Sequence, residues 1–239
     1  MKHALVTGGS GGIGSAICRR LAADGCYVYI HANTNLARAQ ALADEIRAGG
    51  GHAEAVAFDI TDAEATRAAL ETLIQDTPIQ VLVNNAGIHD DAVFPGMRAA
   101  QWHSVLDVSL NGFFNVTQPL SLPMLRSRWG RIVNITSIAG LTGNRGQANY
   151  AAAKGALHAA TKTLSLEMAS RGVTVNAVAP GIIQTAMIEG VFDEKMIAGM
   201  VPMKRAGRPE EVANLVSFLA SEQASYISGQ IISVNGGMI

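Results

Sequence analysis

One stretch near the start of the chain decides the fold: Ala4-Leu5-Val6-Thr7-Gly8-Gly9-Ser10-Gly11-Gly12-Ile13-Gly14. Its first four residues predict a buried strand, and the residues that follow Gly14 have the spacing of a helix. Glycines in such a turn let the chain bend tightly and let backbone N–H groups approach a phosphate at the helix N-terminus. The spacing is not G-x-G-x-x-G, so an ordinary tight turn is the alternative, and the absence of Gly-Lys-Ser/Thr excludes a P-loop.

Short apolar runs alternate with helical patterns along the whole chain. The runs are β-branched and continuous in apolarity, as expected for strands that are buried on both faces. The predicted strands are Ala4–Thr7, Tyr27–Ile30, Ala53–Phe58, Val81–Asn84, Arg131–Thr136, Val173–Val178 and Ile231–Val234, and the predicted helices are 12–24, 35–49, 62–76, 99–128, 147–170 and 209–220. This alternation predicts an α/β fold with a doubly wound parallel sheet of about seven strands.

Length and continuity predict one domain over residues 1–239. A single α/β domain can reach this size, and no repeat or Pro/Gly/Ser-rich linker divides the chain. Between Pro180 and Arg208 no strand is evident, and long connections after a strand end are usually functional in open α/β sheets. We therefore predict a substrate lid at about 182–208. Its methionines are Met187, Met196, Met200 and Met203.

The composition excludes several classes of function. Hydrophobic residues make up 49% of the chain, which suffices for a large core. The 18 Lys and Arg balance 19 Asp and Glu without a basic run, so nucleic acid is not an expected partner. The start of the chain does not resemble a signal peptide, and no apolar stretch reaches about 18 residues. We therefore expect no membrane span and a cytoplasmic location.

Cysteines and histidines show no metal-binding pattern. Cys18 and Cys26 have neither CxxC spacing nor a nearby histidine pair, so we expect two small core residues and neither a zinc site nor a disulfide. The six histidines form no ligand-spaced cluster, and we predict no catalytic metal.

Further motifs follow the glycine loop in a fixed order. Asn84-Asn85-Ala86-Gly87 ends the fourth predicted strand, Ser137 ends the fifth, Tyr150 and Lys154 form a YxxxK pair, and a PG-x3-T motif begins at Pro180. Together with TGxxxGxG, this set resembles the short-chain dehydrogenase/reductase family over essentially the whole chain. The resemblance implies a Rossmann-type, dinucleotide-binding and catalytic domain with NAD(P)-dependent oxidoreductase activity.

The spacing of Tyr150 and Lys154 predicts that the two side chains lie close together. Residues i and i+4 share one helix face. A phenol has a pKa of about 10, and a nearby ammonium lowers it, so that the tyrosine can exchange a proton with a substrate oxygen. The resemblance implies that Tyr150 is the general acid for reduction, that Ser137 hydrogen-bonds the substrate oxygen, and that Lys154 supports Tyr150 and holds the nicotinamide ribose.

One position departs from the family pattern. The family's catalytic asparagine corresponds to Ser109 in Asp107-Val108-Ser109-Leu110-Asn111-Gly112, and Asn111 lies two residues late. In the family this position holds a water that links the lysine to solvent, largely through a main-chain carbonyl. A serine leaves that carbonyl in place, so we expect an active enzyme with a changed proton relay.

The end of the second strand favours NADPH. NAD-specific folds usually place Asp or Glu there, on the ribose 2′-OH, and none is present. His31, Asn33, Thr34 and Asn35 could donate hydrogen bonds to a 2′-phosphate, although no Arg or Lys precedes Arg38 in this loop.

The resemblance distributes the other cofactor contacts along the chain. Asp59 matches the family's adenine-binding turn, although an N-terminal helix cap is the alternative for this residue. The predicted cofactor-binding residues are Gly8, Ser10, Gly11, Gly12, Ile13, Gly14, Asn33, Thr34, Asp59, Ile60, Asn85, Ala86, Gly87, Tyr150, Lys154, Pro180, Gly181, Ile183 and Thr185.

Within the family, the likeness is greatest to bacterial 3-oxoacyl-acyl-carrier-protein reductases, on segments 143–154, 172–176, 226–230 and 234–237. This implies NADPH-dependent reduction of a 3-oxoacyl thioester in fatty-acid or polyketide-type synthesis. The alternatives are a coenzyme A thioester or another ketone or alcohol as substrate, and a non-catalytic nucleotide-binding protein. Such non-catalytic proteins typically lose the tyrosine or the lysine, and this chain has both.

The resemblance also implies partners. Arg128 and Arg171 match basic positions that meet the acyl carrier protein, with ordinary solvated arginines as the alternative. The helices near 110–128 and 147–170 form subunit contacts in the family, so we expect a homotetramer. The small residues that would permit close packing are Ala151, Ala152, Ala153, Gly155, Ala156, Ala159 and Ala160.

Two further features have competing interpretations. The lid methionines would line an adaptable channel for an acyl chain, or would pack on the core or on a neighbouring subunit. Asp90 and Asp91 are adjacent residues in a predicted loop. Because adjacent loop residues rarely converge on one atom, we interpret them as surface residues and not as a carboxylate pair.

Overall fold

The strands form a parallel sheet at whose carboxyl ends the motifs of the sequence meet. The computed structural model describes residues 1–75, 77–185 and 193–239. Within these residues the sheet has the order β3-β2-β1-β4-β5-β6-β7, and all neighbouring strands are parallel. The strands are β1 His3–Val6, β2 Tyr27–Ala32, β3 His52–Ala57, β4 Ile79–Asn84, β5 Gly130–Ile135, β6 Val173–Pro180 and β7 Ile231–Val234. The predicted α/β fold is confirmed, and the strand order reverses between β1 and β4, where open sheets bind ligands.

Helices cover both faces of the sheet. They are α1 Gly12–Ala23, α2 Leu36–Ala48, α3 Ala63–Leu73, α4 Ala99–Leu106, α5 Gly112–Ser127, α6 Ala139–Thr142, α7 Ala148–Met168, α8 Glu194–Met200 and α9 Pro209–Ala220. The predicted helix 99–128 is interrupted, because a π-helical turn at Asp107–Asn111 separates α4 from α5. The short helices α6 and α8 were not predicted.

Alternation along β1 divides the core into two layers. Ala4 and Val6 pack with α1, α2 and α9, while Leu5 points to the other face and packs with α3 and α5. All three side chains are fully buried. Cys18 and Cys26 are free thiols in the first of these layers, as predicted.

The N-terminal cap of α3 decides between the two interpretations of Asp59. Asp62 caps α3 by accepting from the backbone N–H groups of Glu64 and Ala65. Asp59 accepts instead from the backbone and hydroxyl of Thr61 at 2.9 and 2.8 Å. The alternative that Asp59 caps the helix is therefore wrong.

A buried cation lies at the amino-terminal end of the sheet. Arg131, near the start of β5, is 2% exposed and donates to the carbonyl oxygens of Ser221, Gly130 and Gly172. Its guanidinium lies 3.5 Å from the Glu222 carboxylate and packs over the Trp129 ring. The same carboxylate accepts from Lys2 and from the Trp129 indole. We call Lys2, Trp129, Arg131 and Glu222 the Arg131 cluster.

The predicted lid segment is only partly described. Pro180 belongs to β6, and Ile183 pairs with Gly207 in an isolated bridge. Helix α8 lies between these two bridge residues in the sequence. Residues 186–192, which include Met187, lie outside the described residues. The lid methionines that are described are exposed within the chain: Met196, Met200 and Met203.

Membrane-spanning proteins and metalloproteins are two classes that the sequence did not favour. No helix in the described ranges has the length and apolarity needed to cross a membrane. In the same ranges, His, Cys, Asp and Glu side chains form no group of three that could hold a metal ion.

Candidate active site

A cavity of about 450 Å³ opens at the carboxyl ends of the strands. It brings together the predicted catalytic residues Ser137, Tyr150 and Lys154. From the predicted cofactor set it also gathers Gly8, Ser10, Gly11, Gly12, Ile13, Gly14, Asn33, Asn85, Ala86, Gly87, Pro180, Gly181, Ile183 and Thr185. Residues that are separated by most of the chain length therefore share one site.

The glycine loop has the geometry of an anion cradle. Gly8 has a φ of +60°, which favours glycine, and a Cβ on Gly14 would clash with the Gly8 carbonyl oxygen. The N-cap of α1, Gly11, offers no side-chain oxygen to the first turn of that helix. The first-turn N–H groups and the positive end of the helix dipole are thus available to a phosphate. The loop fits the pyrophosphate of a dinucleotide.

The turn after β4 is fastened to the glycine loop. The Thr7 hydroxyl oxygen accepts from the backbone N–H groups of Asn85 and Ala86, each at 3.0 Å. The Asn85 amide donates in return to the carbonyl oxygens of Thr7 and Gly8. These bonds make the two turns one rigid wall of the cavity.

Helix α7 carries Tyr150 and Lys154 to the other wall. Lys154 is 3% exposed, and its ammonium donates to the Ile135 carbonyl oxygen at 3.0 Å. Its Nζ lies 5.6 Å from the centre of the Tyr150 ring. The Ser137 hydroxyl lies close enough to the Tyr150 phenol to lower its pKa. A substrate oxygen placed beside both hydroxyls would have two hydrogen-bond donors.

Burial determines the protonation of this group. It raises the pKa of Tyr150, while the Ser137 hydrogen bond lowers that pKa and the Asp91 carboxylate raises it further. Burial also lowers the pKa of Lys154 to about 8. The expectation that Lys154 brings the tyrosine pKa down stays a prediction, and burial sets the direction of the shift in the described structure. Tyr150 consequently holds its proton at neutral pH, which suits a proton donor.

Sequence reasoning missed Asn149, which fixes the start of α7. This fully buried side chain donates to the carbonyl oxygens of Asp90 and Gln101 and accepts from the backbone N–H of Tyr150 at 2.8 Å. The carboxylates of Asp90 and Asp91 take separate donors, Gln101 and Gln147. As predicted, the two carboxylates do not converge on one atom. Asn149 directly precedes Tyr150, and that adjacency was the available signal.

The π-helical turn places Ser109 beside Lys154. A Cβ on Gly87 would lie 3.1 Å from Lys154 Nζ and 3.7 Å from Ser109 Oγ, so both side chains border Gly87. Asn111 is exposed and donates to the Asp107 carboxylate. Ser109, and not Asn111, therefore occupies the position next to the lysine. Its buried hydroxyl has no hydrogen-bond partner in the described part of the chain.

The part of the cavity wall that follows β2 differs from the prediction at one residue and contains a cation that was not predicted. Asn33 and Arg38 line the cavity, whereas Thr34 does not. Both ring nitrogens of His31 are engaged, with the Gly8 N–H and with the Phe58 carbonyl. The prediction that His31 could donate to a 2′-phosphate is therefore wrong. Arg38 was passed over because it lies seven residues after His31, but the first turn of α2 returns it to the cavity.

Asp59 and Ile60 lie outside the cavity lining. Ile60 is 5% exposed and belongs to the core, where a Cβ on Gly112 would meet its side chain at 2.6 Å. The adenine-binding roles of Asp59 and Ile60 stay predictions.

Comparison with known proteins agrees with this geometry. The model of the short chain dehydrogenase family matches residues 2–196. Nodulation protein G of Azospirillum brasilense is 44% identical, over 99% of this chain and 98% of its own length. The 3-oxoacyl-[acyl-carrier-protein] reductase FabG of Aquifex aeolicus is 46% identical, over 99% and 97%.

The fold is matched equally well by a solved structure. A crystal structure of a protein from Agrobacterium tumefaciens, assigned as a gluconate dehydrogenase, superimposes with a TM-score of 0.96 at 34% identity, covering 99% of this chain and 95% of that one. The chain therefore belongs to the short-chain dehydrogenase family of nicotinamide-dependent oxidoreductases.

Proposed function

We propose that the protein reduces the ketone of a 3-oxoacyl thioester, carried on an acyl carrier protein, to the 3-hydroxyacyl thioester with NADPH. The observation that carries this proposal is the pairing of the Ser137 and Tyr150 hydroxyls in the cavity that begins at the glycine loop. Relatives named 3-oxoacyl-[acyl-carrier-protein] reductase at 42 to 46% identity support the substrate class. The pathway would be fatty-acid or polyketide-type synthesis in the cytoplasm.

The residues of the site divide the chemistry between them. NADPH, when bound, supplies the hydride that adds to the ketone carbon. Tyr150 donates its phenol proton to the ketone oxygen, so that the carbonyl becomes a hydroxyl. Ser137 donates a hydrogen bond to the same oxygen and stabilises the negative charge that develops there. Lys154 then favours the phenolate that is left on Tyr150.

The preference for NADPH rests on the wall after β2. Arg38 lines the cavity, and no described side chain of that wall is a carboxylate. An arginine–phosphate pair with good geometry contributes about 1.5–3 kcal/mol. We expect Arg38→Ala to raise KM for NADPH roughly tenfold or more and to leave KM for NADH unchanged. Arg67→Ala, an exposed arginine of α3, is the control. Equal effects on both cofactors would remove Arg38 from the proposal.

The carrier-protein site is proposed at Arg128 and Arg171. Both are exposed, and Arg128 donates to the Ser170 carbonyl oxygen, so the two arginines are neighbours. They precede β5 and β6, at the opposite end of the sheet from the cavity. A carrier protein bound there would serve the cavity of a neighbouring subunit. We expect charge reversal at both positions to raise KM for the carrier-linked substrate and not for the coenzyme A thioester.

The neighbouring subunit is supplied by the proposed homotetramer. Phe114 and Leu122 of α5 and Leu166 of α7 are 62, 52 and 84% exposed within the chain. They lie on the helices that were predicted to form subunit contacts, and apolar side chains of this size favour burial. Ala153 and Gly155 do not contribute to that surface, because Ala153 is fully buried and Gly155 packs against Gly140 of α6. We expect Leu166→Glu to disrupt this subunit contact. Light scattering, which measures the molar mass of the assembly, tests the expectation.

The decisive experiments compare two thioester substrates and remove the hydroxyl of Tyr150. We expect acetoacetyl-carrier protein and acetoacetyl-coenzyme A to consume NADPH, the former with the higher kcat/KM. Tyr150→Phe should lower kcat about 10²- to 10⁴-fold, while Tyr226→Phe, at a fully exposed tyrosine, should not. Turnover of another ketone or of an alcohol but not of these thioesters would overturn the substrate assignment. Unchanged turnover in Tyr150→Phe would overturn the mechanism.

A further inference from the structure

The side chain of His31 links the glycine loop to the residue that follows β3. His31 lies in β2, is 1% exposed, and does not line the cavity. Its Nδ1 accepts from the Gly8 N–H at 3.1 Å, and its Nε2 lies 2.8 Å from the Phe58 carbonyl oxygen. Because an N–H needs an acceptor and a carbonyl needs a donor, the two partners fix the ring as the neutral Nε2–H tautomer.

The main chain of the same residue holds the next glycine. The Gly9 N–H donates to the His31 carbonyl oxygen at 2.8 Å. The Gly8 carbonyl oxygen then accepts from Gly11 and from the Asn85 amide, so the orientation of Gly8 sets the turn that leads into α1. The Phe58 ring packs against the His31 ring, with the two ring centres 4.3 Å apart.

We infer that His31 is a positioning residue for the cofactor, which holds the glycine loop in the conformation that receives the dinucleotide phosphates and releases it when the ring is protonated. The inference rests on the proposed cofactor site. A protonated Nδ1 cannot accept from Gly8, so acid would replace one hydrogen bond by a repulsive contact between two donors.

The surroundings set the direction of that pH dependence. Burial lowers the pKa of His31, and it outweighs the Phe58 carbonyl and the Asp59 carboxylate, which favour the charged ring. Residues 7–14 carry no titratable side chain. Burial raises the pKa of the Cys18 thiol in α1, which keeps that neighbour neutral. Full loop order is therefore present at neutral pH and is lost as pH falls below the ordinary histidine range.

A matched pair of variants separates the two hydrogen bonds. In His31→Asn, Oδ1 can take the place of Nδ1 and accept from Gly8. In His31→Gln, Nε2 can donate to Phe58, but Gly8 loses its acceptor. Quenching of protein fluorescence gives Kd for NADPH and NADH without turnover. We expect Kd within about threefold of wild type for His31→Asn and about tenfold weaker for His31→Gln, the equivalent of one hydrogen bond. KM for the cofactor should follow Kd, with kcat unchanged.

The pH profile supplies a readout that a purely structural role would not change. For wild type, Kd should rise as pH falls below the ordinary histidine range, and for His31→Asn it should not. NADH is the better probe here, because a phosphate monoester titrates at about 6. Equal Kd values for the two variants, or the same pH profile in wild type and His31→Asn, would overturn the role of His31. Failure of wild type to bind either cofactor would instead overturn the proposed function, and the inference with it.

Discussion

Two cations are buried at opposite ends of the same sheet, and their surroundings differ. Arg131, at the amino-terminal end, has three carbonyl acceptors, a carboxylate and an aromatic ring. Lys154, at the carboxyl end, has one carbonyl acceptor, and among the described residues no carboxylate pairs with it. Both are at most 3% exposed. Burial of a charge is costly unless partners compensate it, so burying Lys154 costs more than burying Arg131.

The difference indicates what each cation is for. A charge without full compensation persists where function requires it, since its pKa can then respond to what binds beside it. Lys154 borders Tyr150, Gly87 and Ser109, while the Arg131 cluster joins structural elements far from the cavity. We therefore expect the two residues to have opposite effects on activity and on stability.

The largest expected effect is on catalysis. Lys154→Met should lower kcat/KM about 10²- to 10⁴-fold, because it removes the electrostatic support for the Tyr150 phenolate. The same variant should unfold at a higher denaturant concentration than wild type at neutral pH, because it no longer buries a charge. NADPH oxidation and urea unfolding measure the two effects. A variant that lost stability as well as activity would assign Lys154 a structural role.

The pH dependence of stability should show the cost of burying Lys154. Its pKa is about 8 in the folded chain against 10.5 in its ordinary range. Between these values the unfolded chain binds more protons, so this residue makes stability rise with pH from about 8 to 10.5, by about 3 kcal/mol. The free energy of unfolding of wild type minus that of Lys154→Met, measured by urea denaturation across this window, isolates the contribution. A flat difference would mean that the lysine is solvated in the folded protein.

Arg131→Met should reverse the pattern. It removes the donor to three carbonyl groups, of which that of Gly130 is buried and those of Ser221 and Gly172 are part-buried, so we expect a loss of about 2–3 kcal/mol in the free energy of unfolding. The kcat of the folded fraction should be unchanged, because the residue lies at the far end of β5. Arg126→Met, an exposed arginine at the end of α5, should change neither quantity. Loss of kcat in Arg131→Met would contradict the separation of the two ends.

The smallest effect is expected at the rim of the Arg131 cluster. The Glu222 side chain is 66% exposed, so water screens its pairs with Lys2 and Arg131. Glu222→Gln should cost less than about 1 kcal/mol, and the cost should shrink in 1 M salt. A larger, salt-independent loss in thermal unfolding would show that the carboxylate, and not the carbonyl groups, compensates Arg131.

The sequence predicted the sheet better than it predicted the helices and the site. Every strand was found within a few residues, since short β-branched runs between turn residues and helical patterns are typical of strands in a parallel sheet. The π-helical turn at Asp107–Asn111 was not foreseen, because its side-chain pattern continues that of the adjoining helices. Helices as short as α6 contain too few residues to show a period.

The parts of the site that were predicted belong to contiguous motifs. Gly8 and Ser137 were found because each stands next to a strand end, and Tyr150 because it stands in the YxxxK pattern of α7. Arg38 and His31 were missed or misread because their positions depend on which way a side chain turns once β2 and α2 pack. A hydrogen bond between residues 8 and 31 leaves no periodic trace in a single sequence.

The Arg131 cluster has a consequence for how the molecule unfolds. Its hydrogen bonds join residues as far apart as Lys2 and Glu222, which are separated by 220 positions. We expect contacts of such long sequence separation to form late in folding, after β1, β5 and α9 are assembled, because closing a long loop costs entropy before the contact forms. Interactions absent from the transition state slow unfolding without accelerating folding. We therefore expect the cluster to slow unfolding and so to lengthen the lifetime of the native protein.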